Sequence, residues 1–186
     1  MAIAEDELAS HPIPLFPAAI HADGFSSVMV PDRWPPGTRL DLMGPLGHGF
    51  SPPGTARRWL IASSLERTTG LMPLIRIGLD RRVELAYWGR HIPELNPAVE
   101  VVIGLEEGLR WADYAACEAR PESLLMLQSV WAKLESQPTI QVLLLPDLLC
   151  GFGACQACAT PLARGMKLAC VDGPVFDASD LGSGLR

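Results

Sequence analysis

Trp59-Leu60-Ile61-Ala62-Ser63 is an unbroken apolar run closed by a small polar residue, and it is the first of a series. Arg82-Val83-Glu84-Leu85-Ala86-Tyr87-Trp88 and Val99-Glu100-Val101-Val102-Ile103 follow, then Trp111-Ala112-Asp113-Tyr114-Ala115-Ala116-Cys117 and Gln141 to Leu145. Short apolar runs rich in β-branched and aromatic residues read as buried strands. Between them lie helical patterns. Thr68 to Ile77 is one, with Thr69 near its start and Gly78 just past its end. Pro121 to Leu134 is the best, with proline at its entry and Leu124, Leu127, Val130, Trp131 and Leu134 at helical spacing. Strands alternating with helices predict a parallel, Rossmann-like sheet, here shorter than usual. Cys117, inside a strand, reads as an inert core thiol.

Such a sheet advertises a nucleotide site by glycines after its first strand, where backbone must approach a pyrophosphate. Here that turn is Ala62-Ser63-Ser64-Leu65-Glu66-Arg67-Thr68-Thr69-Gly70, with one late glycine and a glutamate. Neither helps a dianion, so a working dinucleotide site is not expected.

Upstream, residues 1 to 14 are polar and then proline-bearing, and read as a surface arm. Ala18 to Ala22 and Phe25 to Val30 flank Asp23-Gly24, a hairpin signal. Thr38 to Met43 alternates like a half-buried strand. Gly44-Pro45-Leu46-Gly47-His48-Gly49-Phe50 then forces a tight loop, in which His48 reads as a loop residue rather than a ligand or base.

Downstream the chemistry changes. Cys150-Gly151-Phe152-Gly153-Ala154-Cys155-Gln156-Ala157-Cys158 places three cysteines in one short loop, and Cys170 follows after eleven intervening residues. C-x4-C-x2-C…C is a spacing that wraps a 2Fe–2S cluster, because four thiolates must converge on two irons and the chain must curl to deliver three of them. Gly151 and Gly153 supply the positive φ angles for that curl, and their N–H groups, with that of Ala154, are expected to point at the cluster sulfurs. Zinc also takes four thiolates but favours two short knuckles set apart. A disulfide framework would need an oxidising compartment, which nothing in the sequence suggests. Residues 147 to 186 carry little core of their own, and metal would be needed to hold them; Val175 and Phe176 would pack beneath the cluster.

The 186-residue chain is 48% hydrophobic and 19% charged, a globular composition. Its net charge of −6 argues against a nucleic-acid binder. Residues 55 to 92 hold seven arginines against three acids, and residues 93 to 146 hold eight acids against three bases. Two differently solvated faces explain that, with a subunit interface or a phosphate-site remnant as the functional alternative. No apolar run suits a membrane span, and the start lacks a secretory signal, so the chain is read as cytoplasmic. The scattered His11, His21, His48 and His91 define no triad, and catalysis by this chain alone is not expected.

Taken in order, these pieces resemble the electron-transfer subunit of NAD-linked dihydroorotate dehydrogenase, of the ferredoxin reductase superfamily. The resemblance rests on Gly44 to Phe50 (G-P-L-G-x-G-F), loosely on Cys117 to Leu127, and most specifically on Cys150 to Cys158, Cys170 and Asp172-Gly173-Pro174-Val175-Phe176. It implies an α/β fold with a small β part in three pieces. Residues 1–54 would be an arm and truncated flavin-barrel remnant, 55–146 a degenerate nucleotide-binding-like domain, and 147–186 a 2Fe–2S lobe. It implies Cys150, Cys155, Cys158 and Cys170 as iron ligands and a flavin-containing dehydrogenase catalytic subunit as partner in a hetero-oligomer. FAD and NAD are the family's organic cofactors. The R-x-Y/F-S stretch that holds FAD, the glycine-rich turn and the glycine after Cys117 are all missing, so FAD is poorly provided for and NAD is not expected. The expected function is single-electron relay to or from a flavoprotein. The alternative is a structural or regulatory subunit whose metal only staples the C-terminal lobe.

Overall fold

The computed structural model describes residues 1–4, 12–27, 30–65, 70–90, 94–135 and 138–181. Its centre is a six-stranded sheet built from β5 (Arg58–Ser63), β6 (Glu84–Gly89), β7 (Val99–Val101), β8 (Tyr114–Ala119), β9 (Thr139–Leu144) and β12 (Val175–Asp177). The strand order is β12-β9-β8-β5-β6-β7, parallel throughout except for β12, which runs antiparallel to β9. β5 shows why these runs are strands. Trp59 and Ile61 face one layer, Leu60 and Ala62 the other, and all are buried, as parallel strands covered on both sides require.

α1 (Met72–Asp80) covers the first face, where Leu74 and Ile75 meet Trp59, Tyr87 and Tyr114. α2 (Leu105–Trp111) and α3 (Leu124–Trp131) cover the second. Three elements differ from the sequence expectation. α1 begins after Thr68 and Thr69, which lie outside the described residues, and Gly78 sits inside it rather than beyond it. A Cβ there would stand 2.7 Å from Leu85 Cδ2, so glycine is what lets the helix lie close on β6. α2 has no counterpart in the prediction, which assigned Trp111 to a strand. It is only seven residues long and contains Gly108, whose missing Cβ makes room for Leu60. It is held by Glu106–Arg110, 2.6 Å apart, on acidic-to-basic polarity that suits the helix dipole. The entry to α3 is a 3-10 turn, Pro121–Ser123, before the helix proper.

The N-terminal residues are not a free arm. β1 (Ala2–Ala4) pairs antiparallel with β4 (Leu40–Leu42), and Ala2 also bridges Ile13. Ala2, Ala4 and Trp34 bury a small core of their own, which is why so short a polar-looking start is strand. The expected hairpin forms from β2 (Pro17–His21) and β3 (Gly24–Ser27), with its turn one residue earlier, at Ala22-Asp23, because Gly24 pairs with His21. Among the described residues no helix is long and apolar enough to cross a membrane.

At the lower rim, Asp113 accepts the N–H groups of Arg57 and Arg58, each at 3.0 Å, and the Arg58 guanidinium at 2.7 Å. The Arg58 side chain, then the Arg57 N–H, hold the Asp113 carboxyl down at about 2. A carboxyl depressed on folding contributes stability that is whole above the unfolded value near 3.8 and disappears as pH falls through about 2. Asp113→Asn is therefore expected to lower the denaturation midpoint at neutral pH only slightly, since the pair is solvent-screened. Denaturation curves of variant and wild type should converge between pH 4 and pH 2, a window set by those two values.

Candidate metal centre

After β9 the chain leaves the sheet and curls through Cys150 to Cys158. Gly151 and Gly153 have φ of 76° and 83°, the left-handed conformations anticipated for them. The consequence is that successive N–H groups turn inward. Cys150 sulfur receives N–H groups from Cys155, Phe152 and Ala154, together with the Cys155 thiol, and these hold its thiol down at about 6. Donors aimed at a sulfur favour its thiolate form, the form that binds metal.

The eleven-residue gap to the last cysteine is a hairpin. β10 (Ala159–Leu162) and β11 (Gly165–Leu168) pair antiparallel from Ala159↔Leu168 to Leu162↔Gly165. Cys158 and Cys170 flank its open end, where the Ala169 N–H donates to the Cys158 carbonyl, and their sulfurs lie 3.3 Å apart. Sequence reading did not anticipate this hairpin, because Pro161 interrupts β10 and neither strand alternates cleanly. Burial, then the neighbouring Cys158 thiol, push the Cys170 thiol up to about 11, while the Gly153 N–H acts in the opposite sense. Cys158 and Cys170 thus form a close pair of sulfurs, while Cys150 is reached by the Cys155 thiol and its charge is felt at Cys170. Cys155 is exposed, whereas Cys158 and Cys170 are buried. Cys117 stands apart in the core, its thiol pushed up to about 12 by burial, as an inert thiol should be.

The segment then turns on Asp172, which accepts the Leu168 N–H at 2.8 Å and pairs with Lys167 at 3.4 Å. It runs directly into the frame. The His48 N–H donates to the Gly173 carbonyl, and the Val175 N–H donates back to the His48 carbonyl at 3.3 Å. His48 therefore serves through its backbone, as a loop residue. Val175 and Phe176 become part of β12, and Phe176 shares a buried cluster with Cys158, Ala169 and Cys170. On the other side of the loop, a Cβ on Gly151 would stand 2.6 Å from Met43 Sδ and 3.3 Å from Leu46 Cδ1. The G-P-L-G loop is thus packed against both flanks of the cysteine segment.

Met43 and Leu46 also line a cleft of about 680 Å³ with Phe16, Phe25 and Phe50. It is wide and apolar enough for an aromatic ring, and among the described residues no Lys or Arg side chain lines it.

Fold and site together define a class: an α/β chain with a mostly parallel central sheet and a C-terminal four-cysteine segment. Residues 147–182 match the iron–sulfur cluster binding domain of dihydroorotate dehydrogenase B. In particular, the chain resembles, at a divergent distance, the electron transfer subunit of dihydroorotate dehydrogenase B (NAD(+)). It is 25% identical over 175 residues to that of Geobacillus thermodenitrificans (strain NG80-2), covering 78% of this chain and 66% of the relative. Identity to that of Desulforamulus reducens is 24% over 169 residues, covering 76% and 64%. The chain therefore spans about two thirds of the length of these relatives. Its fold is similar to a chain of the NADH-dependent reduced ferredoxin-NADP oxidoreductase, a structure concerned with flavin-based electron bifurcation. The TM-score is 0.71 at 17% identity, covering 97% of this chain and 78% of that one.

Proposed function

We propose that the chain is an electron-transfer subunit in which Cys150, Cys155, Cys158 and Cys170 hold a 2Fe–2S cluster. The observation that carries this reading is the gathering of the four cysteines inside the matched segment, with the Cys158 and Cys170 sulfurs 3.3 Å apart, Cys150 reached by the Cys155 thiol, and its charge felt at Cys170. Iron in a binuclear cluster takes its thiolates two per metal, whereas a single zinc needs four around one point.

When bound, such a centre supplies a one-electron carrier. The chain's own residues supply its setting. The N–H groups of Phe152, Ala154 and Cys155 stabilise negative charge on the Cys150 sulfur, and that of Gly153 does so on Cys170. Hydrogen bonds of this kind raise the reduction potential by favouring the more negative state. Cys158 and Cys170 keep one side dry while Cys155 stays open to a partner. Phe152 in the loop, 66% exposed, and Val171 beside Cys170, 47% exposed, give that opening an apolar rim suited to docking.

The named relatives are electron transfer subunits of dihydroorotate dehydrogenase B. By analogy, we take the partner to be a flavin-containing dehydrogenase catalytic subunit of that type, the assembly a hetero-oligomer, and its place the cytoplasm. For FAD, the apolar cleft beside Met43 and Leu46 is the candidate place for the flavin ring. The three-part division at residues 54 and 146 fits this reading, with the middle part serving as scaffold.

Anaerobic purification tests the proposal. Roughly two irons and two acid-labile sulfides per chain are expected, with an EPR signal of one unpaired electron after reduction. Stoichiometric zinc and no sulfide would refute it.

A further inference from the structure

The β10–β11 ladder runs from Leu162↔Gly165 to Ala159↔Leu168, and one step beyond it the Ala169 N–H donates to the Cys158 carbonyl at 3.1 Å. Cys158 and Cys170 therefore meet on backbone that is already tied, with their sulfurs 3.3 Å apart. A covalent S–S bond is about 2.05 Å long, so the sulfurs need close by only about 1.3 Å to bond. Both side chains are buried in a cluster with Ala169 and Phe176. Joining them removes two polar S–H groups from that apolar setting. The other two cysteines differ. The Cys150 sulfur receives the N–H groups of Cys155, Phe152 and Ala154, and Cys155 is exposed. Donors that stabilise the reduced sulfur make a disulfide on it easier to break.

We propose that Cys158 and Cys170 are a redox lock on the metal centre: in the metal-free chain a low-molecular-weight disulfide, such as oxidised glutathione, joins them to each other, and the joined pair takes no iron until it is reduced. Each thiol gives up its S–H bond, and one S–S bond forms between the two sulfurs. The two electrons and two protons pass to the oxidised glutathione, whose own S–S bond breaks to leave two glutathione thiols. The exchange runs through a mixed disulfide. Reversible disulfides of this kind are a redox-sensing use of cysteine where thiols are otherwise kept reduced. The lock on iron uptake rests on the electron-transfer reading, because it withholds two of that reading's four ligands. The disulfide itself does not. The chain would thus assemble its carrier only under reducing conditions.

The test takes the full chain, stripped of metal by a chelator under reducing conditions, desalted and incubated with oxidised glutathione. Remaining thiols are alkylated in denaturant, and the digest is read by mass spectrometry, with the linked cysteines assigned by fragmentation. A Cys158–Cys170 link is expected as the dominant product, with Cys117 alkylated. Cys155→Ser should leave that link in place. The linked chain should take up ferrous iron and sulfide only at background level, and dithiothreitol should restore uptake to that of the untreated chain. A dominant link through Cys150 or Cys155, glutathione adducts without any link, or a linked chain that loads iron as fast as the reduced one would each overturn the proposal. A reduced chain that takes no iron refutes the cluster reading instead, while the peptide map still decides the disulfide.

Discussion

Cys155→Ser is expected to bleach the protein. Visible absorbance and bound iron should fall to background, while the far-ultraviolet circular dichroism of the sheet persists. The choice of residue follows from its surroundings. Cys158 and Cys170 are buried among core side chains, so a hydroxyl there would confound loss of metal with loss of packing. Cys155 is exposed, and its N–H, the largest single influence on Cys150, survives the substitution. What is lost is one soft thiolate, for which a neutral serine hydroxyl is a poor replacement at iron. Cys117→Ser makes the complementary control. It is expected to keep full absorbance and iron, while losing about 1–3 kcal/mol of stability from a hydroxyl placed in an apolar core. Absorbance that survives Cys155→Ser but vanishes with Cys117→Ser would reverse the assignment.

The second large effect lies outside the cysteine loop. Gly47→Ala is expected to destabilise the chain by about 2–4 kcal/mol, combining strained backbone with a steric collision. Gly47 has φ of 55°, and its Cβ would fall 1.7 Å from the carbonyl oxygen of Gly173. Backbone cannot give way there without parting His48 from Gly173 and Val175. Because Gly173 lies just after Cys170, the same variant should also release iron faster to a chelator. In a chain of this size the melting temperature should drop by roughly 5–15 °C. Gly49→Ala is the matched control: nothing lies within 4 Å of a Cβ there, and its φ is ordinary. Equal melting temperatures for the two variants would show that this loop contact is not a structural tie.

What could be read without coordinates was whatever local periodicity or fixed spacing encodes. Trp59 to Ser63, Leu85 to Trp88 and Gln141 to Leu144 are strands because buried parallel strands must be apolar on both faces. The β2–β3 hairpin and the left-handed glycines of the cysteine loop follow equally from backbone sterics. The four cysteines were legible for a similar reason, since metal chemistry restricts spacing more tightly than packing restricts composition.

Elements shaped by contact were not legible. α2 is too short and too glycine-broken to show a period, and it exists because Leu60 accepts Gly108 beneath it. The pairing of Cys158 with Cys170 depends on the register of β10 with β11, which no single strand of four residues specifies.

By itself, then, the sequence determined an α/β sheet and the spacing of a four-cysteine segment, since periodicity and spacing are properties of neighbours along the chain. Tertiary structure alone decided that Gly47 closes on Gly173, that Cys158 meets Cys170, and that Glu118 accepts from Ser63 and Gly70. Each of those is a meeting of residues distant in sequence, settled by how strands register and loops exclude one another rather than by any local preference.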